Sequence, residues 1–261
     1  VETQDGRIVG SEEFYNENGH CKLKADGCVH PEFRGLGIGT SLLEKMSERA
    51  QAEMKLAELD TRVVIQSMIN IKNEAGDPLL RAEGYSPIRH YWRMGIQLQE
   101  APEAVTFPAG IELRPFIKDE HAVAAWQANN EAFRDHWGSH EFTYENWSQK
   151  FDNPNFDPTL WMIAWDGDQI AGFSQNRFRM GSGWVGTIGV RRPWRKTGLG
   201  LALLRHSFGE FYKRGMATIG LGVDASNPTG ATRLYQRAGM YVASEFVTYE
   251  KELRAGRSLE E

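Results

Sequence analysis

Cysteine is scarce in this chain: Cys21 and Cys28 are its two, too few for a disulfide framework, and both read as reduced thiols. His20 and His30 lie beside them, but six residues part the cysteines, unlike the short Cys pairs of zinc sites, and no metal is expected. No run of 18 apolar residues occurs, so no transmembrane helix is expected and no membrane partner. The opening Val1-Glu2-Thr3-Gln4-Asp5 has neither a basic n-region nor an apolar h-region, so no signal peptide is visible, and the two reduced thiols give the cytoplasm as the expected compartment. Basic charge is not in excess either: 30 Lys and Arg face 35 Asp and Glu, a net charge of −5. That argues against nucleic acid, and so against a histone or tRNA as substrate, and is compatible with an amine. What is present, 41% hydrophobic and 25% charged residues over 261 positions, is the composition of one large or two modest globular domains.

A long-period repeat decides between these. Asp5-Gly6-Arg7-Ile8-Val9-Gly10 resembles Asp166-Gly167-Asp168-Gln169-Ile170-Ala171-Gly172, and Val29, Pro31, Arg34, Gly37 and Gly39 match Val190, Pro193, Arg195, Gly198 and Gly200. Val29 to Val190 and Gly37 to Gly198 are each 161 residues apart; Gly84-Tyr85 matches Gly239-Met240 at 155. Such spacing is a tandem domain duplication rather than a solenoid. Each copy reads as a hairpin turning at Asp-Gly, an apolar strand (Cys28 to His30; Val185 to Val190), a glycine loop and an amphipathic helix. The helical faces are Leu43, Met46, Ala50, Met54 and Leu204, Phe208, Phe211, Tyr212. A strand follows (Arg62 to Met68; Ala217 to Val223), then a short helix ending at Gly84 or Gly239, then a last strand near Tyr91–Leu98 or Ser244–Glu250. Gln99 to Phe107 reads as the linker, so domains 1-100 and 107-261 are expected. The second copy has about fifty residues before its hairpin and the first only four. The first copy therefore reads as lacking its N-terminal elements, and the chain as lacking its natural start.

The glycine loops carry the chemistry. Val29-His30-Pro31-Glu32-Phe33-Arg34-Gly35-Leu36-Gly37-Ile38-Gly39 and Val190-Arg191-Arg192-Pro193-Trp194-Arg195-Lys196-Thr197-Gly198-Leu199-Gly200 each lie between a strand and a helix. A helix N-terminus reached through a tight glycine turn offers unpaired N–H groups to an anion, and Arg34, Arg195 and Lys196 add positive charge. The dinucleotide fingerprint fails, because Thr40, Leu42 and Leu203 stand where its third glycine is needed. No G-x-x-x-x-G-K-[ST] occurs, which leaves a P-loop unsupported. Glycines that merely turn a strand into a helix are the plainer alternative.

At these residues both copies resemble the GNAT superfamily of acyl-CoA-dependent N-acyltransferases, whose signature is [QR]-x-x-G-x-[GA] after a strand. The resemblance covers nearly the whole chain as a tandem pair. It implies an α+β fold: two tandem GNAT domains, each a mixed, mostly antiparallel, V-splayed sheet flanked by helices. It implies acetyl-CoA or another acyl-CoA as co-substrate, with the pyrophosphate on Arg195, Lys196, Thr197, Gly198, Leu199 and Gly200. The pantetheine would run along Ile188, Gly189 and Val190. The matching positions of the first copy are Cys28, Val29 and His30, then Arg34, Gly35, Leu36, Gly37, Ile38 and Gly39.

Transfer needs an aligned amine, a proton acceptor for it and a proton donor for the thiolate. Asn227 and the run Ala231-Thr232-Arg233-Leu234-Tyr235-Gln236-Arg237-Ala238-Gly239-Met240 resemble the family's N-x-x-A-x-x-L-Y-x-x-x-G-F segment, with Met240 in place of an aromatic. The resemblance makes Tyr235 the general acid and Asn227 a contact of the cofactor arm. A Tyr that only packs on a helix face is the other reading. Leu80 occupies the matching place in the first copy, which therefore reads as degenerate. The base is harder to place: Gly183-Trp184-Val185-Gly186-Thr187-Ile188-Gly189 holds no carboxylate where family members often have a Glu. The segment Ala132 to Glu141 is expected to wall the acceptor site, with Asp135 or Glu141 holding an ammonium and His136 taking its proton; capping and loop hydrogen bonds are the alternative. The expectation is an N-acyltransferase for the primary amine of a small molecule, catalytic in its C-terminal half. A non-catalytic acyl-CoA sensor or scaffold is the rival, and a protein N-terminus remains open as acceptor.

Overall fold

The computed structural model describes residues 1–137, 141–227 and 229–258. His140, inside the expected acceptor wall, and Pro228, beside Asn227, lie outside the described residues. The chain divides into two compact units, Val1–Tyr91 with Glu245–Glu261, and Trp92–Ser244.

Unit 1 holds β1 (Gly10–Asn18), β2 (Lys22–Val29), α1 (Ile38–Met54), β3 (Val63–Asn70), α2 (Gly76–Ala82), the first half of β4 (Ser86–Gln97) and most of β10 (Tyr241–Arg254). β1 and β2 form an antiparallel hairpin with Gly10 opposite Val29 and Ser11 opposite Cys28. α1 makes the crossover to β3, which lies parallel to β2. β10 runs antiparallel along β3, from Phe246 opposite Asn70 to Arg254 opposite Val63. The core gathers Leu23, Met46, Ala50, Ile65, Val247 and Tyr249. Met46 and Ala50 are one helical turn apart, so they share the face of α1 that meets the sheet.

Unit 2 holds the remainder of β4, then β5 (Ile111–Pro115), α3 (Lys118–Phe133), α4 (Tyr144–Ser148), β6 (Trp161–Asp166), β7 (Gln169–Arg179), β8 (Ser182–Val190), α5 (Leu199–Lys213), β9 (Thr218–Asp224) and α6 (Ala231–Arg237). β5 to β8 form an antiparallel meander, α5 crosses over, and β9 lies parallel to β8. Successive strand residues face opposite sides of a sheet. Gly172 accordingly lies under Leu203 and Leu199 of α5, while a Cβ at Gly189, opposite Phe173, would also meet Ala132 of α3. Each unit is thus a mixed, mainly antiparallel sheet with helices packed on it. Among the described residues unit 1 has no counterpart of β5 and α3.

The units differ from the expected domains 1-100 and 107-261 in their last strands. Met94 of β4 is fully buried with Ile219 and Leu221 of unit 2, whereas Val247 and Tyr249 of β10 are buried in unit 1. The apolar alternation of both strands was legible; which core it fills was not. β2 is also longer than expected, starting at Lys22 and ending at Val29. Cys21 is buried in the unit 1 core, and Cys28 shares a hydrogen bond with Ser11. His20 binds Glu53, and the His30 ring caps the turn at Pro31–Phe33.

Candidate active site

Parallel pairing of β8 with β9 is confined to three positions, Gly183, Trp184 and Val185 opposite Ile219, Gly220 and Leu221. Beyond Val185 the two strands part. At that level the β7–β8 ladder skips Gly186, so that Gln175 faces Thr187 and Asn176 faces Val185. A bulge bends its strand and interrupts pairing. Thr187, Ile188, Gly189 and Val190 therefore pair with β7 on one side only.

The loop after Val190 explains itself residue by residue. Lys196 and Gly198 adopt left-handed φ of 65° and 92°, which alternates the direction of successive amides into an anion-binding concavity. α5 begins without a side-chain cap. The Arg195 amide is used, donating to the Arg192 carbonyl at 3.2 Å. The amides of Lys196, Thr197, Gly198, Leu199, Gly200 and Leu201 have no acceptor among the described residues. The next amide, that of Ala202, donates to Gly198 at 3.1 Å. Gly198 is demanded by its φ, whereas Gly200 is demanded by packing: a Cβ there would sit 3.0 Å from Leu234 of α6. The second glycine thus seats the helix that carries Tyr235.

The Arg195 side chain does not reach outward as expected. Its Nε donates to the Val190 carbonyl at 3.2 Å and Nη2 to the Ala132 carbonyl at 3.0 Å, with Nη1 3.4 Å from Asp135. The guanidinium ties the loop to the end of α3. Asp135, the expected ammonium holder, is engaged by arginines. Its carboxylate binds Arg192 and Arg195, and the Arg192 hydrogen bond above all holds it below the usual Asp range. Glu141 is exposed and 3.9 Å from Arg134. His136 differs from both: its ring stacks edge-on against Phe133, and among the described residues nothing bonds its ring nitrogens. Burial lowers its pKa below 6.5, opposed by the charge of Asp224 at the end of β9.

Tyr235 is buried in the unit 2 core cluster, to which Val185 of β8 and Leu221 and Val223 of β9 also belong. Burial pushes its phenol up to about 12, and among the described residues no group bonds the hydroxyl. The Asn227 side-chain oxygen is occupied by its own turn, accepting from the Thr229 amide at 2.8 Å.

Unit 1 repeats the frame with different contents. Gly35 and Gly37 have φ of 75° and 77°, and the amides of Gly35, Leu36, Gly37, Ile38, Gly39 and Thr40 have no acceptor among the described residues. A Cβ at Gly39 would meet Leu79 at 3.1 Å. β2 pairs with β3 only through Lys22, Leu23 and Lys24. Here the β1–β2 register is unbroken at Ala25 and Asp26, and the Asp26 carboxylate spans the gap to accept the Met68 amide at 3.0 Å. Leu80, buried in the core, stands at the fifth position of α2, as Tyr235 does in α6. His30, exposed Arg34 and Cys28 complete the matched set, with Arg34 held by no described partner.

Sequence reasoning missed the pocket beside the bulge. A cavity of about 100 Å³ is bounded by Lys150, Phe156, Trp161, Gln175, Arg177 and Gly186 among others, and of the expected acceptor wall the described residues, Ala132 to Trp137 and Glu141, do not line it. One signal was available: in β7 the apolar run Ile170-Ala171-Gly172-Phe173 is followed by three polar residues, Ser174-Gln175-Asn176, all buried.

A sheet splayed above a cap-free helix N-terminus defines an acyl-CoA-type transferase fold, and comparison with known proteins settles the family. The Acetyltransferase (GNAT) family profile matches residues 122–240, and that of the Acetyltransferase (GNAT) domain matches residues 1–86. The chain belongs to the GNAT family of acetyl-CoA-dependent N-acetyltransferases, as a tandem member. It is 30% identical to a mycothiol acetyltransferase of Streptomyces scabiei, over 88% of this chain and 70% of that protein. It is 29% identical to one of Pseudarthrobacter chlorophenolicus, over 81% of this chain, and the matched part is 64% of that protein. The resemblance to the mycothiol synthase type is thus shared by both halves. Among solved structures, a GCN5-related N-acetyltransferase from Sphaerobacter thermophilus superposes with a TM-score of 0.88 at 37% identity, covering 99% of this chain and 81% of that one. A tandem GNAT protein from the clavulanic acid biosynthesis pathway shares the fold, with a TM-score of 0.73 at 16% identity over 98% of this chain and 82% of that one. No helix among the described residues is long and apolar enough to cross a membrane.

Proposed function

We propose that the protein transfers an acyl group, from acetyl-CoA, to the primary amine of a small molecule, and that unit 2 does the chemistry. The observation that carries this reading is the run of six unsatisfied amides from Lys196 to Leu201 beside one-sided β8. Free N–H groups on a left-handed turn suit a diphosphate, and the free edge of Ile188, Gly189 and Val190 suits the amides of a pantetheine arm. This reading makes Asn227 a contact of the same arm through its amide nitrogen, since its side-chain oxygen is engaged by Thr229.

Tyr235 is the proton donor in this reading. Burial keeps it protonated across the working pH range, and a phenol is a stronger acid than an aliphatic alcohol. The acceptor ammonium first loses a proton, for which neutral His136 is the available base. The amine nitrogen then bonds to the thioester carbon, the C–S bond breaks, and sulfur takes the Tyr235 proton. The second proton shed by nitrogen restores the phenol. Unit 1 has Leu80 in that place and Asp26 across its gap, so it supplies no acid and meets the arm with a carboxylate.

Thiol release from acetyl-CoA, followed over a panel of primary amines for the wild type and Tyr235→Phe, tests this directly. Turnover that falls sharply in the variant while acetyl-CoA still binds supports it. The rival reading, an acyl-CoA sensor, draws on the absence of any carboxylate from β8. It would be favoured by tight acetyl-CoA binding with no thiol release for any amine.

A further inference from the structure

The pocket beside the Gly186 bulge has an unusual charge inventory. Lys150 and Arg177 bound it, and among the described residues that line it none is acidic. Lys150 is partly buried with no carboxylate partner among the described residues. Its ammonium sits 4.5 Å from the Trp147 ring centre and 5.6 Å from that of Trp161, and donates to the Gln175 side-chain oxygen at 3.2 Å. Burial and the neighbouring Arg177 push it down to about 8. Among the described residues no acceptor bonds the Arg177 guanidinium, whose pKa is also lowered, by burial first and by Arg179 second. A Cβ at Gly186 would lie 3.3 Å from Arg177 Nη1, so the guanidinium lies against the bulge.

Gln175 supplies a separate observation. It is 6% exposed, and with its oxygen committed to Lys150 its Nε2 is a buried donor without an acceptor. An orphaned buried donor has lost its hydration and gained nothing in return, and two adjacent unneutralised cations repel one another. A bound oxyanion would remove both penalties, and fork-shaped guanidinium and amide donors match its geometry.

We propose that this pocket recognises an oxyanion on the acceptor, so that the amine acylated by unit 2 carries a carboxylate or phosphate group held by Lys150, Arg177 and the Gln175 amide. The inference rests on the reading of unit 2 as an N-acyltransferase and narrows its substrate class. Thr187, on the free stretch of β8, also lines the pocket, which sets the acid group beside the strand along which the thioester arm would lie. Lys150 and Arg177 also destabilise the ammonium form of an amine brought near them. That eases loss of its proton in a site whose β8 has no carboxylate base.

The test uses the full chain, saturating acetyl-CoA and two pairs of amines with the same carbon chain, one member of each bearing the acid group: β-alanine against propylamine, and O-phosphoethanolamine against ethanolamine. The acid-bearing member of at least one pair is expected to show at least about ten-fold higher kcat/KM, and the pair that responds distinguishes carboxylate from phosphate. Arg177→Gln and Lys150→Met should each reduce that ratio towards one. Arg177 is at the exposed end of β7, so its variant remains informative should Lys150→Met fail to fold. Equal use of both members, or preference for the uncharged one, would overturn the inference while leaving acyl transfer intact. Where no amine is acylated, the acyltransferase reading fails by itself, and the pocket is judged by calorimetry with β-alanine and O-phosphoethanolamine. Heat of binding that Arg177→Gln abolishes supports an oxyanion site, and its absence with the wild type overturns it.

Discussion

The two glycine loops have nearly the same backbone and the same free amides, yet their surroundings have diverged at several matched positions. In unit 2 α3 lies over the sheet, and the residues beneath it have adapted. Gly189 leaves room for Phe173 and Ala132, and Arg195 is fastened to the Ala132 carbonyl. In unit 1, where the described residues hold no such helix, Cys28 and Ser11 occupy the Gly189–Phe173 position and bond to each other at the surface, and Arg34 extends unfastened. The gap between the parallel strands is bulged at Gly186 in unit 2 and spanned by Asp26 in unit 1. A loop motif therefore marks ancestry in both copies, whereas the covering helix, the bulge and the phenol distinguish the copy to which we assign the chemistry.

The largest expected effect separates the two helices that follow the splay. Tyr235→Phe should lower kcat about 10²–10³-fold with little change in the KM for acetyl-CoA, as steady-state thiol release would read. Leu80→Tyr should create no second activity and cost about 1–3 kcal/mol by overpacking unit 1, measured by denaturant unfolding. Equal losses from both variants would erase the distinction between the units.

A smaller contrast concerns the covered strand. Gly189→Ala places a Cβ 2.6 Å from the Phe173 ring and 3.2 Å from Ala132, and we expect about 1–3 kcal/mol of destabilisation. The matched Cys28→Ala, at an exposed site, should fall within about 0.5 kcal/mol of wild type. The loop arginines should divide in the same way. Arg195→Ala strands two carbonyls and should raise the KM for acetyl-CoA several-fold at a cost of about 1–2 kcal/mol; Arg34→Ala should leave both unchanged. A denaturation series read beside acetyl-CoA kinetics checks the two pairs together.

The smallest effect is in pH. Burial lowers the His136 pKa, so its neutral, proton-accepting form persists below pH 6.5. The acid limb of kcat/KM should accordingly lie below 6.5, and His136→Asn should remove it. A limb above 6.5 that survives the substitution would assign the proton to another group. Tyr235, with its pKa pushed up to about 12, should contribute no alkaline limb below about pH 10.

What was legible in the sequence was local. Gly37 and Gly198 announce a left-handed turn before a helix, and Gly84 and Gly239 the end of one, because backbone conformation alone requires them. The repeat made Leu80 and Tyr235 comparable before any coordinates. The partners of side chains were not legible. The spacing of Asp135 and Arg195 says nothing of their meeting across the end of α3. Alternation along β4 and β10 shows that one face is buried, not which core receives it. Lys150 reads as an ordinary surface lysine until Trp147, Trp161 and Arg177, from three different segments, close around it.

The central claim is that the amides opening α5 hold the acyl donor beside the Tyr235 phenol. Amide hydrogen exchange on the full chain, with and without coenzyme A, tests it most directly. Binding should slow exchange from Lys196 to Leu201 in the wild type and equally in Tyr235→Phe, the variant that no longer turns over. Unchanged exchange across that loop at saturating coenzyme A, or full turnover by Tyr235→Phe, would contradict the claim.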